Sequence, residues 1–303
     1  MSDNRKAAVL ASFAADSFAL GVHWIYDIQE IEARFGRVTT LETPGPDSYH
    51  PNRKKGEFTH YGDQMLVLLA SIADQGRFDL EDFSRRWRAL FADYDGYMDG
   101  ATKKTLAYYD RGKTAETAGS HTGDFAGAAR IAPLVALLAD EPDALAEAAR
   151  DQTRMTHDDP NTLDTAAFFA SVAAAVLKGT APTAAIQELA ASEAFEMTPL
   201  AMWVEEGFKS RDEESAAAVA KFGQACETQQ VFPGVVHLIA KYETDLKEAL
   251  IQAVMAGGES AARGSMTALI LAAHLGMDSI PPDWLDGMKK RSDIVSLLDR
   301  IKG

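Results

Sequence analysis

Apolar residues recur at three- and four-residue spacing along most of the chain. KAAVLASFAADSFAL, DQMLVLLASIADQ, EDFSRRWRALFADY, AGAARIAPLVALLAD, DALAEAARDQTRM, TAAFFASVAAAVLKG and ETDLKEALIQAVM all place them at i, i+3, i+4 and i+7. That spacing gathers apolar side chains on one face of an α-helix. No stretch alternates in the period-two manner of a half-buried strand. Alanine fills many positions where helices would face one another, which lets their axes approach closely. The expected fold is all-α, a multi-helix bundle.

Breaks in the pattern separate the helices. Residues 34–58, RFGRVTTLETPGPDSYHPNRKKGEF, carry Pro44, Pro46 and Pro51 and read as a long loop. Loops of this length in compact domains are usually functional or mobile. Shorter breaks fall at 95–100, 119–127, 156–161 and 179–183. No low-complexity linker and no repeat of fixed period divides the chain, so residues 1–303 are expected to form one domain. The last break lies in AVMAGGESAARGSMTALILAAHLG, residues 253–276. A glycine inside a helix costs about 1 kcal/mol relative to alanine, so Gly257-Gly258 predicts a helix, a tight turn and a second helix. Glu259 and Ser260 suit the start of that second helix, where orphan N–H groups and the positive dipole end favour such residues.

Composition narrows the function classes. A content of 47% hydrophobic residues is ample for a buried core. No uninterrupted apolar run reaches the roughly 18 residues of a membrane span, and the start MSDNRKAAVL lacks a signal-peptide core, so a cytoplasmic protein without a membrane partner is expected. The single Cys226 excludes an internal disulfide and a cysteine-rich zinc site. A formal net charge of −15 repels phosphate backbones, which argues against nucleic acid as a partner. The same charge suits a cation-binding pocket or plain solubility.

Several polar residues interrupt the helical pattern. Asp16 sits among apolar neighbours in FAADSFALGVHW, followed by His23 and Trp24. A buried carboxylate must be paired, hydrogen-bonded or metal-bound, whereas a helix-end aspartate needs only solvent. Asp63, in THYGDQM, precedes an apolar helix and reads as a first-turn acid or a ligand. Thr156-His157-Asp158-Asp159-Pro160 reads as a helix start or as a proton-shuttling or metal-binding group. Glu259 adds a fourth acidic helix junction. Four such junctions suggest a common pocket.

Taken in this order, the junctions resemble those of the ADP-ribosylglycohydrolase family. The matching pieces are AADSFALGVHW, GEFTHYGDQMLVLLASI, AGAARIAPL with Arg130 and Pro133, MTHDDPN, and AGGESAARGSMTALILAAHLGMDSIPPDW with Gly276, Ile280, Pro281 and Trp284. The chain looks closer to the crystallin-J1-like branch than to the arginine-specific hydrolases. The resemblance implies an all-α fold, a two-magnesium centre and removal of ADP-ribose from an acceptor, with a small molecule or an ADP-ribosylated protein as substrate.

Departures from the family pattern shape the site expectations. The family's Thr-Asp-Asp-Thr is matched by Tyr61-Gly62-Asp63-Gln64, and its Gly-Gly-Asp-x-Asp-Thr by Gly257-Gly258-Glu259-Ser260-Ala261-Ala262. Asp63 and Glu259 are left as metal-ligand and catalytic acids, enough for a single magnesium ion or none. Arg263, one helical turn beyond Glu259, is expected to pair with Glu259 and Asp63 in place of a lost metal and to face a phosphate or ribose oxygen; the alternative is a surface ion pair. The family's Gly-Asn-Gly turn becomes Gly123-Asp124-Phe125-Ala126-Gly127, with Phe125 either stacking a base or filling the core. Asp16, His23, Asp124, Phe125, His157 and Asp158 complete the substrate-binding candidates. The function expected is hydrolysis of an ADP-ribosyl or related N- or O-glycosidic bond. The alternative is a catalytically silent ADP-ribose or nucleotide binder, or a crystallin-like structural protein.

Overall fold

The computed structural model describes residues 1–301. Among these residues sixteen α-helices follow one another: α1 Asp3–Ala19, α2 Ile28–Phe35, α3 His60–Gln75, α4 Leu80–Phe91, α5 Gly100–Tyr109, α6 Ala132–Leu138, α7 Pro142–Arg154 and α8 Pro160–Leu177, then α9 Pro182–Ala190, α10 Leu200–Lys209, α11 Ser215–Phe222, α12 Thr228–Lys241, α13 Leu246–Met255, α14 Ser260–Leu275, α15 Pro282–Gly287 and α16 Arg291–Leu298. Among the described residues there is no strand, only the isolated bridges Ser120 to His157 and Asp124 to Glu227. The fold is the all-α, single-domain bundle that the helical periodicity predicts.

The core is built on α1 and α14, which pack on each other and are buried along most of their length. Small residues make this close approach possible: Ala7, Ala8, Ala11, Ala14 and Ala15 in α1, and Ala261, Ala262, Gly264 and Ala268 in α14. Ser12 Oγ donates to the Ser265 carbonyl at 3.1 Å, and Ser265 Oγ donates to the Ser12 carbonyl at 3.3 Å, so the polar groups at this crossing satisfy each other. Helix α8 has the length and hydropathy of a membrane span, which the sequence reading did not anticipate, yet 67% of it is buried within the protein. It is a core helix, packed against α7, α9, α12 and α14. AGAARIAPLVALLAD is less helical than its spacing predicts. The 3-10 turn Phe125–Gly127 opens the segment, and α6 begins only at Ala132, with Pro133 in its first turn.

The Gly-Gly break is a tight turn between α13 and α14, with φ of 71° at Gly257 and 63° at Gly258. A Cβ on Gly258 would strike the Gln224 carbonyl, so the left-handed backbone and the close approach both require glycine there. Arg263 holds this turn from below. Its Nη2 donates to the carbonyls of Ala253 and Gly257, each at 2.7 Å, which are orphan acceptors at the end of α13. Burial pushes the guanidinium down to about 10, with the Glu259 charge acting the other way, so it stays cationic at neutral pH beside a negative helix terminus. This corrects the expectation for Arg263. It lies fully inside and joins two helices rather than pairing with Asp63 or forming a surface ion pair.

Two variants check this packing. Arg263→Met leaves two buried carbonyls without donors and should lower unfolding free energy by about 2–4 kcal/mol in urea titrations, with Arg263→Lys intermediate. Gly62→Ala drives a methyl group into Asp16 Oδ2 and Phe58 Cβ and should cost about 1–3 kcal/mol in the same assay.

Candidate active site

The residues between α1 and α2, the loop before α3, the loop before α5 and the start of α14 meet around Trp24. Its backbone is unusual: Trp24 has φ of 65°, the one positive value outside glycine among the described residues. Trp24 N–H donates to the Gly258 carbonyl at 3.0 Å, and Gly258 N–H donates to the Ile25 carbonyl at 2.8 Å, so the segment is tied to the Gly-Gly turn. This pairing holds a conformation that a bulky residue otherwise avoids.

Glu259 is the N-cap of α14 and the anchor of the site. One carboxylate oxygen accepts from Trp24 Nε1 and from the Tyr61 hydroxyl, both at 2.9 Å. The other accepts from Ala262 N–H at 3.1 Å and lies 3.8 Å from His23 Nε2. The residue is 1% exposed. Burial and the adjacent Glu259 charge push the Tyr61 phenol far up, so it remains a donor.

Tyr61 reaches Glu259 because α3 starts where it does. Thr59 caps α3, accepting from Tyr61 N–H at 3.1 Å, while its own N–H and hydroxyl donate to the Asp16 carboxyl at 2.8 and 2.6 Å. Asp16 is wholly buried, and burial raises its pKa to about 7 against the pull of those two bonds. Its contacts position α3 behind the site. Asp63 turns elsewhere, accepting from Arg53 at 2.8 Å and from the Tyr94 hydroxyl at 2.6 Å, with its carboxyl pushed up by burial. The expected convergence of Asp63 with Glu259 is therefore replaced by a convergence of Tyr61 with Glu259.

Above Glu259 lies a layer of rings. His23 stacks on Trp24 at 4.4 Å and on His50 at 5.4 Å between centroids, and His50 stacks on His60 at 5.9 Å. His23 Nε2 and both ring nitrogens of His50 and His60 are buried without a hydrogen-bond partner. Burial keeps His23 and His50 neutral, His50 down to about 2. Trp24, Tyr49 and Tyr97 meet nearly at right angles, with centroids 4.9 to 5.5 Å apart.

Carboxyl groups edge this layer. Asp99 Oδ2 lies 3.2 Å from His60 Nε2, off the line of a direct hydrogen bond, and its other oxygen accepts from Thr102 N–H at 2.6 Å. Burial pushes Asp99 up, but His60, His157 and that N–H outweigh it and hold the carboxyl well below its usual range. Asp124 goes the opposite way. Burial and the charges of Asp99, Glu259 and Glu227 raise it to about 6. Cys226 is half-buried beside Glu259, and its thiol is pushed far up by burial and that charge.

The other sequence candidates lie outside this cluster. Phe125 is buried against Phe169 and fills the core. His157 is buried behind the site, bonded to the Thr156 hydroxyl at 2.8 Å and lowered to about 3 by burial. Asp158 faces Arg154, 3.9 Å away, on the surface. Asp16 and Asp63 support α3, so of the expected group only His23, Asp124 and Glu259 lie at the ring layer. Tyr49, His50, Tyr61, Tyr97 and Asp99 were not singled out from sequence. The 34–58 loop signalled Tyr49 and His50, the break at 95–100 signalled Tyr97 and Asp99, and the departure of Tyr61-Gly62-Asp63-Gln64 from the family pattern signalled Tyr61.

The donor set does not fit a dimagnesium centre. Magnesium needs several oxygen ligands in octahedral array, but Glu259 is saturated by protein donors, Tyr61 occupies the facing position and Asp63 is paired with Arg53. Among the described residues no three histidine, cysteine or acidic side chains are arranged to hold a metal ion.

Known proteins similar to this chain place it. Crystallin J1A of Tripedalia cystophora is 23% identical over 315 residues, covering 99% of this chain and 96% of its own. An uncharacterized protein of Archaeoglobus fulgidus is 25% identical over 303 residues, with 99% and 96% covered. A solved structure titled ADP-ribosylglycohydrolase-related protein complex superposes with a TM-score of 0.75 at 23% identity, covering 99% of this chain and 96% of that one. The ADP-ribosylglycohydrolase profile matches residues 2–303, and the chain belongs to that family.

Proposed function

We propose that the protein hydrolyses an ADP-ribosyl or related N- or O-glycosidic bond without a dimagnesium centre, using Asp99 and Asp124. The setting of two carboxyls carries this reading: Asp99, which accepts from Thr102 N–H and lies 3.2 Å from His60, is held ionised, while Asp124, half-buried near Asp99, Glu259 and Glu227, keeps its proton to about 6. Glycoside cleavage needs that division, an acid to protonate the leaving group and a carboxylate to activate water or to stabilise an oxocarbenium-like state. Glu259 and Tyr61 act as positioning groups that fix Trp24 beneath the substrate. Membership of the ADP-ribosylglycohydrolase family supports this bond class.

A second reading, a silent binder or structural protein, is favoured by the burial and saturation of Glu259 and by the crystallin name of one relative. Turnover separates the two. Chelator-treated protein, with and without added magnesium, is incubated with NAD, ADP-ribosylated arginine and an ADP-ribosylated serine peptide. Release of ADP-ribose under chelation is the expected result, and Asp99→Asn or Asp124→Asn should each reduce it by about 100-fold or more while the circular dichroism spectrum is retained. Release only with magnesium would overturn the metal-free route, and no release in any arm would favour the silent reading.

The pH profile follows from the same pair. Asp124 must be protonated to act as the acid, so kcat/KM should fall as pH rises through about 6. Asp99 must be ionised, which places the acidic limb below the ordinary aspartate range. Residual activity of Asp124→Asn should lack the alkaline limb.

A further inference from the structure

We infer that the aromatic corner of Trp24, Tyr49 and Tyr97 takes a small alkylated ammonium head group, as free ligand or as part of the substrate. This deepens the proposal above and rests on its assignment of the ring layer as the substrate site.

Three observations carry the inference. The three rings stand at 77°, 81° and 87° to one another, an arrangement that offers π-faces along three directions and suits a globular cation better than a flat guanidinium. Tyr49, 51% exposed, is its solvent-facing member, and Trp24, 9% exposed, is its inner one. Lys103 Nζ lies 5.7 Å from the Tyr97 centroid, so a cation already sits over one of these rings.

The charges around the corner favour a cation. Asp99, Asp124, Glu227 and Glu259 all lie near enough to act on one another or on the tyrosines, and Lys103 and Lys104 are the cations facing them. Glu259 is held by N–H and O–H donors, with Arg263 behind it committed to carbonyl groups. The field of these carboxylates attracts a quaternary ammonium to the corner. Independent of the acids, His50 stacks on Trp24 at 5.9 Å and lies 6.2 Å from Tyr97, with both of its buried nitrogens unpartnered. Being neutral, it does not oppose a cation, and it can hydrogen-bond a hydroxyl or carbonyl carried by the same ligand.

The test compares choline with its uncharged isostere 3,3-dimethylbutan-1-ol by calorimetric titration of the full chain, with a short trimethyl-lysine peptide as a third probe. Choline or the peptide should bind at least 10-fold tighter than the neutral isostere, and the ratio between them tells whether the head group arrives free or on a protein. Tyr97→Leu and Tyr49→Leu should each weaken binding by about 5-fold or more, with Tyr97→Phe, which keeps the ring, close to the parent. Equal binding of the neutral isostere, or no saturation by either cation with the parent protein, overturns the inference. Glycoside cleavage with no ammonium binding would sink this inference and leave the hydrolase reading standing. Ammonium binding without cleavage would do the reverse.

Discussion

A carboxylate buried at the start of a helix must find donors, and the way Glu259 finds them sets the rest of the site. Its own helix supplies one N–H, from Ala262. The remaining donors come from Trp24 and Tyr61, each delivered by a different segment. Trp24 reaches it with a left-handed backbone, which its pairing with Gly258 stabilises. Tyr61 can reach only because Thr59, held by the buried Asp16, starts α3 at that point. Leaving a charged acceptor unmet in the interior costs more than any of these local compromises.

That anchoring changes the electrostatics of the family's cleft. Gly62 brings no charge to α3 where the family pattern carries an acid, and Asp63 is paired with Arg53 away from Glu259. Negative charge is retained at Asp99, Asp124 and Glu227, around a floor of neutral imidazole and aromatic rings. Carboxyls in so uneven a setting separate in proton affinity: Asp99 gains the imidazoles of His60 and His157 and an N–H, while at Asp124 burial and like charge outweigh Lys104. The basic side chains buried beneath do structural work. Arg263 joins α13 to α14, and Arg130 donates to Gln64 at 2.7 Å and Gln152 at 2.9 Å, fastening α3 to α7.

Much was legible before any coordinates. Apolar periodicity sufficed for the helices because burying one face of each is the dominant favourable term, and it is local in sequence. Gly257-Gly258 signalled its turn because only glycine tolerates that backbone cheaply, and Glu259 was recognisable as the acid held there. Fold class, the long loop before α3 and the family resemblance were all carried by such local patterns.

Which polar residues face one another was decided by tertiary structure alone. Tyr61 and Asp63 lie two positions apart on one helix, about 200° around its axis, so the rotational setting of α3 determines which of them meets Glu259. Asp16 fixes that rotation from 43 residues away. Arg263 had the spacing for a partner of Glu259, yet its long side chain found nearer orphan carbonyls beneath the Gly-Gly turn. Side-chain direction depends on how whole helices pack, a sum over many distant contacts, and no local pattern in the chain encodes it.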